Sequence, residues 1–136
     1  MKKQTKFSEL KNIFEILHGP DGCLWDKEQT HKTLIPYLRQ EARELISAIN
    51  DNDYAQMKEE LGDLLIQVMF HSQIASKKGK FNIEDVLEVL IAKLKRRHPH
   101  VFSGVKVKSS REIIKNWNKI KIQEKAGTQS LKTNYF

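Results

Sequence analysis

The chain has 136 residues, 39% of them hydrophobic, and a formal net charge of +7. That length suits one domain able to bury roughly two-thirds of its unfolded surface. No apolar run reaches membrane-spanning length, Met1-Lys2-Lys3-Gln4 lacks a signal peptide's apolar segment, and the single cysteine, Cys23, excludes an internal disulfide framework and a cysteine-based zinc site.

A cytoplasmic protein is therefore expected, and its positive charge attracts polyanions without deciding between nucleotides and nucleic acid. Phe7, Leu10, Ile13, Phe14 and Leu17 recur at helical spacing, predicting a helix over 7–18 that His18-Gly19-Pro20-Asp21-Gly22 breaks. Glu15 and His18 form one Glu-x-x-His pair, where a di-iron bundle needs two, so the pair reads as surface chemistry. Residues Cys23 to His31 read as a loop with Trp25 among charged neighbours. That indole is either a hydrophobic plug or a flat surface on which a base could stack, and the residues alone leave both open.

A helix is predicted from near Thr33, with Pro36 in its first turn, to the polar cluster Asn50-Asp51-Asn52-Asp53. The next, over 54–78, contains Gly62, which implies close approach of a neighbouring helix or a bound ligand, and stops at Lys77-Lys78-Gly79-Lys80. Asn82 can cap a fourth helix that ends in Lys93, Lys95, Arg96, Arg97 and His98. Lys93 and Arg97 share a face, as phosphate ligands should, although taken singly they are a solvated helix end. His98 and His100 read as loop packing, without a third ligand for a metal. A last helix over 110–125 places Trp117 and Lys121 one turn apart, and residues 126–136 form a polar, frayed tail. No strand pattern occurs, so the fold class is all-α, a bundle of about four to five helices.

The middle of the chain holds two signatures of one form, Glu41-Ala42-Arg43-Glu44-Leu45 and Glu60-Leu61-Gly62-Asp63-Leu64. At about 100° per residue, each acidic pair lies on one helix face. Leu38, Leu45 and Ile49 flank Glu41 in the same rotational sense as Met57, Leu64 and Val68 flank Glu60. Packing of the two apolar stripes would bring four carboxylates together at the margin of the core. Unpaired, they would repel one another and rise in pKa; a hard cation such as Mg²⁺ or Mn²⁺ removes that conflict. One such pair is an ordinary solvated helix face. Two with matching phase favour a metal.

Glu41-x-x-Glu44 followed by Glu60-x-x-Asp63 resembles the signature of the all-α nucleoside triphosphate pyrophosphohydrolases. Gly22 to His31, Glu59 to Leu65, Lys93 to Phe102 and Trp117-x-x-x-Lys121 are similar to segments of the MazG branch, so the resemblance covers residues ~7 to 125. It implies a helical bundle assembled as an intertwined dimer or a dimer of dimers, with Mg²⁺ held by Glu41, Glu44, Glu60 and Asp63. It also implies cleavage of nucleoside triphosphates between the α and β phosphates, with Lys93 and Arg97 on the phosphates and Trp117 and Lys121 closing the nucleotide site. Two departures stand out: Gln40 occupies a position usually held by glutamate, and Leu24 one usually held by proline. Many of these proteins carry two such domains, and this chain resembles the first. In the mechanism this suggests, Glu44 accepts the proton of the attacking water and Glu41 assists at the cation. The alternative is a catalytically weak nucleotide-binding regulatory module, motivated by Gln40. A basic nucleic-acid binder ranks last, because it leaves the matched carboxylates without a purpose.

Overall fold

The computed structural model describes residues 3–133, and these contain helices and no strand. In chain order they are α1 (Lys6–Leu17), α2 (Leu24–Glu28), α3 (Ile35–Asn50), α4 (Tyr54–Lys77), α5 (Ile83–Arg97), α6 (Pro99–Phe102) and α7 (Ser110–Thr133). The all-α expectation holds. The five longer helices are those predicted, and α2 and α6 are single turns in segments that read as loops. The last helix runs to Thr133 rather than ending near 125, since no proline interrupts it and Gly127 costs only about 1 kcal/mol. Residues 134–136 of the expected tail lie outside the described residues.

Local chemistry explains the boundaries. Thr5 caps α1 by accepting from Ser8 N at 3.0 Å, and Asp53 caps α4 by accepting from Gln56 N at 3.1 Å. Pro36 stands in the first turn of α3. Gly79, at φ +67°, ends α4 in the left-handed region, with Lys80 N donating to Ala75 O at 3.0 Å.

The chain divides into two compact units, Met1–Glu84 and Asp85–Phe136. In the first, α3 and α4 pack together as a hairpin and α1 packs on α4. Its core gathers Phe14, Leu34, Ala48, Met69, Phe70, Ile74 and Ala75. His18 belongs to this core. It is buried, its Nδ1 lies 3.0 Å from Phe14 O, and its ring meets the Phe70 ring edge-on at 4.9 Å. The surface reading of His18 is thereby corrected: the turn after α1 folds the imidazole inward, where its backbone contact and an aromatic edge receive it.

The apolar stripe beside the carboxylates closes only in part, with Leu45, Met57 and Leu64 half-buried. Leu38 and Ile49 on α3 and Val68 on α4 are exposed. The buried residues of the two helices are Ala48 on α3 and, on α4, Glu60, Gln67, Met69, Phe70, Ser72, Ile74 and Ala75. Among the described residues Gly62 has no close neighbour, for an added Cβ would meet nothing within 4 Å.

The second unit contains the rest of α5, α6 and α7. Within it Arg96 and Arg97 reach Glu124 on α7. No helix among the described residues is long and apolar enough to cross a membrane.

Candidate metal centre and flanking residues

The α3–α4 hairpin places the acids. Its connection is short, with Asn52 in the left-handed region at φ 53° and Asp53 N donating to Ala48 O at 3.1 Å. An antiparallel return this tight sets the turn of α3 that carries Glu41 and Glu44 against the turn of α4 that carries Glu60 and Asp63. One carboxylate oxygen from each of the four lies within 4.8 Å of the others. The convergence read from the spacing is present.

Its electrostatics are those of a site short of positive charge. Glu60 is buried at 5% exposure, and the other three acids are half-buried. Burial, reinforced by the charges of Glu44, Asp63 and Glu60, raises the pKa of Glu41 above the ordinary value of 4.5. Burial also raises Glu60, against a lowering by its hydrogen bond from Gln56. Glu44 moves the other way, chiefly because Gln40 donates to it. Glu41 Oε2 and Glu60 Oε2 are buried with no hydrogen-bond partner, and none of the four acids has an ion pair among the described residues. Unsatisfied buried carboxylate oxygens are costly, and a hard divalent cation is the group that satisfies them. The donor set therefore fits a metal: all oxygen, anionic and convergent. Beside it runs an open groove of about 420 Å³ whose lining includes Arg43, Glu44, Ser47, Asp53, Gln56 and Glu60.

Trp25 lies in the same unit, on α2. Its ring is edge-to-face with Tyr37 at 5.7 Å and with Phe70 at 6.2 Å, yet the residue is 47% exposed. The ring therefore packs against these two aromatics while about half of the residue stays exposed. Gly22 sets its approach. A Cβ there would collide with the backbone of Leu17, and the next residue, Cys23, donates to Leu17 O at 2.8 Å.

The basic candidates belong to the second unit. The Arg97 guanidinium stands over the Trp117 ring at 5.5 Å, and the His98 ring meets Trp117 at 4.9 Å, perpendicular to it. Arg97 Nη2 also donates to Glu124 Oε2 at 2.8 Å, while Arg96 Nε donates to Glu124 Oε1 at 2.6 Å. These bonds, Arg97's first, pull the Glu124 carboxyl down to about 2. Lys93 and Lys121 have no ion pair among the described residues.

Three features escaped the sequence reading. Glu124 carried no local signal, since its partners stand 27 and 28 residues away. The His31 and His71 rings stack, with their Nδ1 atoms 2.7 Å apart, and burial followed by the His31 charge lowers the His71 pKa. Gln56 was legible in principle. It precedes Glu60 by four residues, as Gln40 precedes Glu44.

The fold and site define an all-α protein with a four-carboxylate centre suited to a divalent cation. Residues 29–102 match the family described as "MazG nucleotide pyrophosphohydrolase domain". Among curated proteins, the chain is 52% identical over 124 residues to "Nucleoside triphosphate pyrophosphohydrolase/pyrophosphatase MazG" of Thermotoga maritima, covering 91% of this chain and 47% of that protein. It is 41% identical over 123 residues to "Nucleoside triphosphate pyrophosphohydrolase" of Escherichia coli K12, covering 90% of this chain and 47% of that protein. The chain thus spans about half the length of these relatives. Among solved structures, the "mazG-related protein from Thermotoga maritima" superposes with a TM-score of 0.66 at 27% identity, over 82% of this chain and 97% of that one. The chain belongs to the MazG nucleotide pyrophosphohydrolase domain family.

Proposed function

We propose that this chain is a Mg²⁺-dependent nucleoside triphosphate pyrophosphohydrolase. It would cleave ribo- or deoxynucleoside triphosphates between the α and β phosphates, giving the monophosphate and pyrophosphate. Removal of non-standard nucleotides in the cytoplasm is a role that fits this reaction, and Mn²⁺ is a fitting substitute ion. One observation carries the reading: four carboxylates converge, and two of their buried oxygens find no partner among the described residues.

In this proposal Glu41, Glu44, Glu60 and Asp63 hold the cation. When bound, it neutralises phosphate charge and makes water a better nucleophile. The remaining chemistry belongs to the side chains. Glu41 and Glu44 accept the proton leaving the attacking water. Of the two, burial gives Glu41 the higher proton affinity, while Gln40 favours Glu44 as a charged ligand. Lys93 and Arg97 bind the phosphates, with Glu124 holding the Arg97 guanidinium in place. Trp117 and Lys121 are nucleotide-binding residues, and Trp25 offers its indole to a base.

The proposal also includes a homo-oligomer, dimer or tetramer. Leu61, Leu65 and Val68 are spaced along one side of α4 and are 53%, 38% and 41% exposed. A contiguous apolar stripe of this kind is characteristic of an interface. Residues 1–125 form the working domain, with 126–136 an accessory tail. Nucleic acid is not an expected partner.

The test is release of pyrophosphate and monophosphate from a panel of ordinary and modified nucleoside triphosphates, with Mg²⁺, with EDTA, and with an Asp63→Asn control. Metal-dependent release of both products, lost in the control, is expected. Mg²⁺-dependent nucleotide binding with no product would identify a binding module instead.

A further inference from the structure

Two glutamines outside the acidic signature occupy equivalent places beside it. Gln40 precedes Glu44 by one helical turn on α3, and Gln56 precedes Glu60 by one turn on α4. Each turns its amide onto the acid that follows. Gln40 Nε2 donates to Glu44 Oε1 at 3.0 Å, and Gln56 Nε2 donates to Glu60 Oε1 at 2.5 Å. Spacing by four residues makes such contacts geometrically easy, so either bond alone would be ordinary. The same donor atom type on the same offset, once per helix and both times on an acid of the convergent four, is a matched arrangement.

The consequence follows from carboxylate geometry. A carboxylate that chelates one ion with both oxygens needs both free on the side facing the ion. An amide hydrogen on Oε1 takes up one of that oxygen's lone pairs and makes it the weaker ligand, so Oε2 is the oxygen to present, and Glu60 Oε2 is buried with no hydrogen-bond partner among the described residues. We propose that Gln40 and Gln56 are paired positioning residues that restrict Glu44 and Glu60 to one ligand oxygen each, so that the centre favours small six-coordinate cations over Ca²⁺. Mg²⁺ and Mn²⁺ accept single oxygens in octahedral geometry, whereas Ca²⁺ takes six to eight oxygens and readily uses both of a carboxylate. Being neutral, the two amides steady their acids without adding charge to a cluster already short of cations. This gives Gln40 a purpose of its own. The inference rests on the reading of the four carboxylates as the cation site.

The test is calorimetric titration of Mn²⁺ and of Ca²⁺ into the wild type, Gln40→Leu, Gln56→Leu, the double variant and Asp63→Asn, with helicity followed by circular dichroism. Both glutamines are exposed, so the helices should be retained. Each single variant is expected to bind Mn²⁺ about tenfold more weakly. Ca²⁺ affinity should hold or improve, so that the preference for Mn²⁺ over Ca²⁺ falls by at least that factor. A merely structural role would weaken both ions together. If the double variant kept the wild-type preference while Asp63→Asn lost Mn²⁺, the paired positioning would be overturned and the cation site would stand. Equal Mn²⁺ binding by Asp63→Asn and the wild type would overturn the site reading and this inference with it.

Discussion

The α3–α4 hairpin and the α5–α7 unit solve the problem of buried or crowded charge in opposite ways. In the hairpin, four acids meet with no cation from the chain among the described residues, and two buried oxygens go without a hydrogen bond. In the other unit, Glu124 meets two arginines and its carboxyl falls to about 2. Glu124 is an acid already served by its own fold. The hairpin acids are not, and neither is the apolar stripe of Leu61, Leu65 and Val68 beside them. Folding alone should leave the four hairpin acids needing a cation from outside, while Glu124 has its cations within the chain. Charges left unsatisfied by the fold are the stronger pointer to a ligand.

The sharpest way to break this contrast is Asp63→Asn, which removes one charge from the cluster without changing its shape. Turnover should fall more than about 100-fold, since even indirect supports of a metal site cost about 10- to 100-fold in affinity or activity. Full activity at limiting Mg²⁺ would remove the hairpin from the mechanism. Leu65→Glu should next reduce the proposed homo-oligomer to a monomer by light scattering, because it puts a charge in the middle of the exposed stripe. An unchanged mass would assign that stripe no interface.

Glu60→Gln tests the cost of the unsatisfied acids. Without divalent cation the variant should melt at a higher temperature than the wild type, because a buried charge among like charges has gone. With Mg²⁺ the order should reverse. Glu124→Gln sharpens the other side of the comparison, with a loss of about 1 kcal/mol at neutral pH by chemical denaturation. Its pH dependence has a definite sign. The folded state holds the Glu124 proton less tightly than the unfolded chain does, so this stability is present above about 4.5 and is lost as the pH falls toward about 2. Glu124→Gln should flatten that limb of the stability curve.

Much of this was legible in the sequence because it is local. Pro36, Asp53 and Gly79 mark helix boundaries through backbone geometry that each residue carries with it. The four acids announced themselves because i,i+3 spacing and matching phase survive folding unchanged. Single-turn helices such as α2 and α6 are too short to display a period. The apolar stripe was legible as apolar, but a stripe does not say how deeply each residue will be buried: Leu45, Met57 and Leu64 are half-buried, and Leu38, Ile49 and Val68 are exposed. His18, the His31–His71 pair and Glu124 depend on residues distant in sequence, which no local pattern encodes.

The most direct test of the central claim is a calorimetric titration of Mg²⁺ into the wild type and into Asp63→Asn at neutral pH. Saturable binding by the wild type and its loss in the variant is the predicted result. No binding by the wild type, or equal binding by both, would contradict the claim that the hairpin acids are a cation site.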